Sequence, residues 1–191
     1  SDSLNPIHLA NLEIPFGNQN RALPNFIAAI SDTILYLSSR QRGIAIVNIS
    51  DPSNPQYIDM VTQPAGSNYS YDGLTVRDSI LYAAAHEHGV ILFNISSPEL
   101  PTYYGQINTE NAWGTAFFDS LLIIIDGEFG FKIMNIADLS NPITIADVFT
   151  EGATKDMALD GDHLNVAMGS DGIARYDLSD PSDPQLLATY N

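Results

Sequence analysis

His86 and His88, with Glu87 between them, form the segment whose residue types come nearest to a metal site. In an extended segment both imidazoles point to the same side, and two imidazoles with a nearby carboxylate can hold a divalent cation. The alternative is a solvated turn, because no third ligand follows at a fixed spacing. The sequence requires no cofactor, and a divalent cation at His86 and His88 is the one that these residues allow.

Other charged residues follow apolar runs in the same way. Arg40 and Arg42 come after one such run and Glu128 after another. If these loops converge with the histidine segment, they bring cations, imidazoles and carboxylates together in one site. A site assembled in this way leaves no contiguous motif in the sequence. Such a convergence allows ligand binding, or an enzyme of the hydrolase or lyase type whose site is assembled from several loops.

A second group of candidates is aromatic. Tyr69, Tyr71 and Trp113 lie, together with Asn111, in the connections between repeats, where all the length variation of the repeat occurs. Aromatic rings can stack on a sugar ring or anchor a protein partner, while amides supply directional hydrogen bonds. The alternative is that these aromatic residues only cap the strands that follow them.

Recognisable enzyme motifs are absent from the sequence. It contains no glycine-rich phosphate loop, no nucleophile elbow and no zinc-binding helix motif. A binding module is therefore favoured over an enzyme, and a mainly structural or assembly-forming role is a third alternative.

Composition excludes several classes of partner. Seven Lys and Arg against 23 Asp and Glu give a net charge of −16, which is incompatible with a nucleic-acid reader and unattractive for anionic membranes. No apolar run approaches the length of a bilayer, so no membrane insertion is expected. Without cysteine, the chain has neither disulfides nor thiolate metal sites.

The elements that position these residues are repeated four times. A glycine, an apolar strand, an Asn or Asp and a Ser/Asp/Pro turn recur at residues 43–55, 89–101, 130–142 and 172–184. Eleven residues before each glycine, Asp or Gly opens another apolar run. The period in the low forties is typical of a four-stranded propeller blade.

The repeat predicts an all-β chain, a β-propeller with four blades of four antiparallel strands, treated as a single domain. The third strands are expected to be the most buried elements, and the polar residue that ends each one is expected to bond the following turn. Because residues 1–15 read as a separate outer strand, the array is expected to pair with further blades, from a longer polypeptide or by self-association. The predicted blades span about 24–62, 70–108, 112–149 and 155–191.

The third strands also carry a family resemblance. Residues 44–48 (IAIVN), 90–94 (VILFN), 131–135 (FKIMN) and 173–177 (IARYD), each followed by a turn resembling SDPSNP, resemble the LVIVD-repeat family of bacterial and archaeal surface proteins. Asn replaces the usual Asp in three of the four copies. The resemblance implies a β-propeller that is exported or displayed at the cell surface, and it implies no set of catalytic residues.

Charge supports the same location. A pI near 4.1 suits a protein that must stay soluble outside the cell. Composition and resemblance together predict an extracellular or cell-surface protein that binds a protein or a glycan.

Overall fold

The computed structural model describes residues 7–14, 28–39, 43–62 and 69–191. They form sixteen β-strands and two short 3-10 helices, Gly127–Phe129 and Gly169–Asp171. The strands assemble into four antiparallel sheets of four, and in each sheet the spatial order follows the chain. The predicted all-β array of four blades is confirmed.

The strand bounds are as follows. The first blade comprises β1 (Ala28–Ser31), β2 (Ile34–Ser39), β3 (Gly43–Asn48) and β4 (Gln56–Val61). The second comprises β5 (Leu74–Arg77), β6 (Ile80–Ala84), β7 (Val90–Asn94) and β8 (Thr102–Ile107). The third comprises β9 (Gly114–Phe118), β10 (Leu121–Ile125), β11 (Phe131–Asn135) and β12 (Ile143–Val148). The fourth comprises β13 (Asp156–Asp160), β14 (His163–Ala167), β15 (Ile173–Asp177) and β16 (Gln185–Tyr190).

The turn from the first to the second strand of each blade needs one residue at positive φ. Asp32, Asp78 and Asp119 have φ of 55°, 53° and 50°, and Gly161 has 57°. Asp tolerates this left-handed conformation better than most residues, because its short polar side chain bonds locally, and Gly has no Cβ to clash. This requirement explains why Asp or Gly recurs at this place in every repeat.

The residue that ends each third strand organises the next turn. The side-chain Oδ1 of Asn48, Asn94, Asn135 and Asp177 accepts the backbone N–H two residues later, at 2.8, 2.8, 2.9 and 2.8 Å. The predicted structural role of these residues is therefore confirmed, since Asn and Asp commonly fold the chain over their own side chain in this way.

Three buried clusters fill the spaces between neighbouring sheets, and each is built mainly from alternate residues of second and third strands. Prominent members are Tyr36, Ile46, Leu81 and Phe93 between the first two blades; Tyr82, Leu92, Leu122 and Met134 between the next two; and Ile123, Ile133, Leu164 and Tyr176 between the last two. Side chains alternate across a strand, so the second and third blades are buried on both faces.

Burial differs in the fourth blade. In β15, Ala174 and Tyr176 are buried, whereas Ile173 is 46% exposed and Arg175 is partly exposed. The third strands β3, β7 and β11 are almost wholly buried, but the second strands β6 and β10 are buried to the same extent as β7 and β11, so the prediction that third strands are the most buried elements holds only in the first blade. The third strand of the fourth blade, β15, is only half-buried. The reason is that none of the described blades covers the outward face of the fourth sheet.

Residues 7–14 belong to none of the sixteen strands. The outer strand predicted over residues 1–15 required a partner from another blade, so it stays a prediction. In the described part of the chain, no helix is long and apolar enough to span a bilayer.

Candidate binding site

Two sets of loops meet on one side of the sheets, which we call the loop face. The first set comprises the turns between second and third strands (85–89, 126–130 and 168–172), and the second comprises the segments that enter first strands (69–73, 108–113 and 149–155). The His86 N–H donates to Ala112 O at 2.9 Å and the Ala112 N–H donates to His86 O at 3.0 Å. One blade later, the Thr154 N–H donates to Gly127 O at 2.8 Å. These backbone bonds fasten each turn to the segment that enters the next blade.

Three residues occupy the same place at the entrance to successive first strands. The N–H groups of Asp72, Trp113 and Lys155 donate to the carbonyls of the residues that end the second strands, Ala84, Ile125 and Ala167, at 3.0, 2.9 and 2.8 Å. One backbone position thus carries a carboxylate, an indole and an ammonium group. Sequence reasoning did not select Asp72 or Lys155 as site residues, because no motif marks the residue before a strand.

These three residues and His86 are in contact in series, and we call them the polar column. His86 Nε2 lies 3.1 Å from Asp72 Oδ2. The His86 ring meets the Trp113 ring edge-on, with centroids 4.9 Å apart, and Lys155 Nζ lies 4.1 Å from the centroid of the same indole. The indole of Trp113 is thus in contact with both the imidazole of His86 and the ammonium group of Lys155.

His86 stands where the third and fourth blades have glycine. Its φ is +52°, and the equivalent Gly127 and Gly169 have φ of +57° and +63°. A left-handed conformation costs a residue with a Cβ about 1–2 kcal/mol, so this histidine is held by its surroundings. Hydrogen bonding to Asp72 raises the pKa of His86, although burial opposes the shift, and a hydrogen bond to Asn111 raises it further.

The predicted pairing of His86 with His88 is wrong in its geometry. The segment is a turn and not extended, since His86 has positive φ. His86 Nε2 faces Asp72, whereas the His88 ring stacks on Tyr69 at 4.1 Å and its Nε2 lies 3.7 Å from Glu87 Oε1. Among the described residues, no three His, Asp or Glu side chains are grouped as they would be around a metal ion.

The two predicted tyrosines have different environments. Tyr71 is buried and packs edge-on against Phe93, with ring centroids 6.1 Å apart. Burial raises the pKa of Tyr71 well above its usual value. Tyr69 is half-buried and stacks on His88. Tyr71 is thus a core residue, and Tyr69 keeps a surface to offer to a ligand.

Asn111 and Trp113 pack over Gly127. A Cβ at Gly127 would lie 2.7 Å from Asn111 Nδ2 and 3.1 Å from Trp113 Nε1, so a larger residue at this position would displace these side chains. The Asn111 N–H donates to Asp126 Oδ1 at 2.6 Å. Glu87 and Glu128 are exposed on the loop face, and the predicted site residues Arg40 and Arg42 lie outside the described residues.

A carboxylate cluster adjoins the polar column. Lys132 Nζ lies 2.7 Å from Asp147 Oδ2, 3.2 Å from Glu110 Oε2 and 3.5 Å from Asp126 Oδ2. Burial and a hydrogen bond to Glu110 raise the pKa of Asp126, while hydrogen bonds from Asp126 and Lys132 lower the pKa of Glu110. Burial opposes protonation of Lys132, but hydrogen bonds to Asp147 and Glu110 raise its pKa. Sequence reasoning missed this cluster, although a lysine inside an apolar strand could have indicated it.

Two grooves between neighbouring blades are formed by described residues on the side that carries the turns between third and fourth strands. One, of about 470 Å³, lies between the Asp32 turn and residues 97–100. The other, of about 400 Å³, lies between the Asp78 turn and residues 135–139. Neither groove contains a predicted site residue.

Comparison with solved structures identifies the architecture. The chain is similar to U3-55K (TM-score 0.65, 16% identity, 86% of this chain and 49% of that one) and to the computationally designed protein Ika4 (TM-score 0.60, 14% identity, 91% and 99%). It is also similar to a chain in the Nidogen/Laminin complex (TM-score 0.58, 13% identity, 86% and 62%). At these identities the likeness shows the fold alone. The chain spans about half the length of the U3-55K chain.

Comparison of sequences gives the repeat family. No protein of curated function matches the chain. The LVIVD repeat matches residues 29–62, in the first blade, and residues 151–191, in the fourth. The chain is therefore an array of β-propeller blades that carries LVIVD repeats.

Proposed function

We propose that this chain is a non-catalytic binding module, extracellular or displayed at the cell surface, and that its loop face recognises a protein or a glycan. The observation that carries the proposal is the chemistry of Asp72, Trp113 and Lys155. The three residues occupy equivalent backbone positions in successive blades, yet their side chains differ in charge and size. The backbone is the same in each case, so the fold does not explain the difference. Different side chains on an unvarying scaffold are typical of a binding surface.

The alternative function is a propeller enzyme of the hydrolase or lyase type. Such an enzyme needs an imidazole or carboxylate that is free to take a proton. His86 is held by Asp72 and Asn111, and Asp126 accepts the backbone N–H of Asn111. These contacts favour a structural and electrostatic role for both residues, and therefore a binding module.

The repeat family, the net charge and one chain of similar fold support the proposed location and partners. The LVIVD repeat and the net charge of −16 both favour export. One chain of similar fold comes from the Nidogen/Laminin complex, which is an assembly of proteins. A longer polypeptide or a second copy is proposed to supply further blades.

A binding screen tests the proposal. The protein is applied to arrays of glycans and of purified extracellular proteins, and each hit is titrated by the fluorescence of Trp113, the only tryptophan. Saturable binding without turnover is expected, and Trp113→Ala or Tyr69→Ala should weaken it about tenfold in surface plasmon resonance.

Tyr104→Ala is the matched control, because Tyr104 is an exposed aromatic residue on β8, away from the loop face. Circular dichroism establishes that each variant is folded. Binding that neither loop-face substitution changes, or turnover of a hit, contradicts the proposal.

A further inference from the structure

Lys155 is distinguished from the other described Lys and Arg side chains because its ammonium group has neither a carboxylate nor a carbonyl partner among the described residues. Arg77 donates to the backbone carbonyl of Asp119 at 2.6 Å, Lys132 contacts three carboxylates, and Arg175 lies 3.2 Å from the Asp160 carboxylate. Lys155 makes no ion pair with any described residue, although the chain has 23 acidic residues. An unpaired ammonium group in so acidic a protein is available to a ligand.

The indole keeps this ammonium group in a defined place. Lys155 Nζ lies over the Trp113 ring, an arrangement that stabilises a cation by the ring quadrupole. His86 meets the same ring edge-on, and its bond to Asp72 favours the charged imidazolium. Two cationic groups thus lie against one indole, and Lys155 remains exposed to solvent.

We propose that Lys155 and Trp113 form a subsite for the carboxylate of an acidic sugar, such as a uronate residue of a glycan. The subsite rests on the proposed binding function, and it names the chemical class that the loop face selects. The ammonium group, which lies over the indole, pairs with the carboxylate, while the partly exposed Tyr69–His88 stack offers apolar surface to sugar rings.

The surrounding carboxylates favour a sugar over an acidic peptide. Glu87, Glu110 and Glu128 are exposed on the loop face and can only accept hydrogen bonds when ionised. A sugar brings several hydroxyl donors for each carboxylate. A peptide rich in Asp and Glu brings many negative charges to a face that is itself acidic, and repulsion opposes its binding.

Three probes of equal length test the subsite by titration of Trp113 fluorescence: a glucuronate-containing oligosaccharide, its carboxyl-reduced neutral form and an oligoglutamate peptide. The acidic oligosaccharide should bind and should weaken as salt is raised, because the contact is an exposed ion pair. The neutral form should bind at least about tenfold more weakly, which is the usual effect of losing one hydrogen bond to a charged group. The peptide should not bind.

Lys155→Met tests the residue itself. This variant keeps the aliphatic stem and Trp113 and loses the charge, so binding of the acidic oligosaccharide should fall at least about tenfold, whereas Lys155→Arg should retain it. Arg175→Met is the matched control, since it removes a cation from the fourth blade, away from the polar column, and should leave binding unchanged.

Several outcomes overturn the inference. They are equal binding of the neutral oligosaccharide, wild-type affinity in Lys155→Met, preferential binding of the peptide, and no response to either oligosaccharide at millimolar concentration. If a neutral glycan or a protein binds with dependence on Trp113 and none on Lys155, the subsite fails and the proposed binding function stands. Turnover of the oligosaccharide contradicts the proposed function itself.

Discussion

The third and fourth blades have the same backbone and opposite environments. The third is packed between two neighbours, and β10 (LLIII) is buried from Leu122 to Ile125. Among the described residues, a blade covers the fourth on one side only, and β14 (HLNVA) alternates between buried and partly exposed residues. Equal strand lengths and registers in the two sheets show that the repeat determines the backbone, whereas the neighbours determine which side chains a blade can carry.

The outward face of the fourth blade shows this difference residue by residue. Ile123 and Ile133 are cross-strand partners that face the fourth blade, and the equivalent partners in that blade are Asn165 and Arg175. The Arg175 guanidinium donates to Asn165 Oδ1 at 3.3 Å and contacts Asp160 at 3.2 Å. An apolar surface packed on this face would desolvate the guanidinium, so a blade that covers it must supply polar partners for Arg175.

The largest expected effect comes from truncating the same residue type in the two environments. Ile123→Ala in the third blade removes a side chain that is fully buried, and it should lower the free energy of unfolding by about 3 kcal/mol. Ile173→Ala in the fourth blade removes one that is 46% exposed and should cost less than about 1 kcal/mol. Urea unfolding followed by circular dichroism measures both, and equal losses would contradict the difference between the blades.

The sequence was sufficient for the blades because their determinants are local and repeated. Every predicted blade is present, and the span 112–149 predicted for the third blade encloses its four strands, from β9 to β12. Apolar strands, turn residues at positive φ and the Asn or Asp at each strand end each act within a few residues. Four copies of such a pattern reinforce one another.

The candidate site was less predictable because its contacts join loops that are distant in sequence. Asp72 contacts His86, and Trp113 contacts Lys155, without any motif that would relate them. The left-handed conformation of His86 was missed for another reason. Glycine normally occupies such a position, and a histidine there becomes visible only when the turn is aligned with Gly127 and Gly169.

Replacing the cationic residue in the third strand of the third or the fourth blade should have an intermediate effect on the free energy of unfolding. Lys132→Met leaves the fully buried Asp126 without its cation, which should cost about 3 kcal/mol. Arg175→Met leaves only Asp160, whose side chain is 74% exposed, and should cost less than about 1 kcal/mol. Chemical denaturation near neutral pH compares the two variants.

The pH dependence of Lys132→Met checks the cause. Burial already raises the pKa of Asp126, and loss of Lys132 should raise it further. A carboxyl whose pKa is higher in the folded than in the unfolded state stabilises the fold as pH falls below the folded value. The deficit of Lys132→Met should therefore shrink as the pH is lowered, and a deficit that grows would show that Asp126 is not responsible.

The smallest effect on stability, and the most direct test of the comparison, comes from exchanging the outward side chains. Asn165→Ile combined with Arg175→Leu gives the fourth blade an apolar pair like Ile123 and Ile133. The free energy of unfolding should change by less than about 1 kcal/mol, because these positions are at the surface. The exposed apolar patch should instead make the protein self-associate, which sedimentation velocity detects as a concentration-dependent increase in mass. Asp160→Asn, on the same face, keeps it polar and should leave the mass unchanged. A double variant no more associated than the wild type would show that the polar side chains of this face are not what limits self-association.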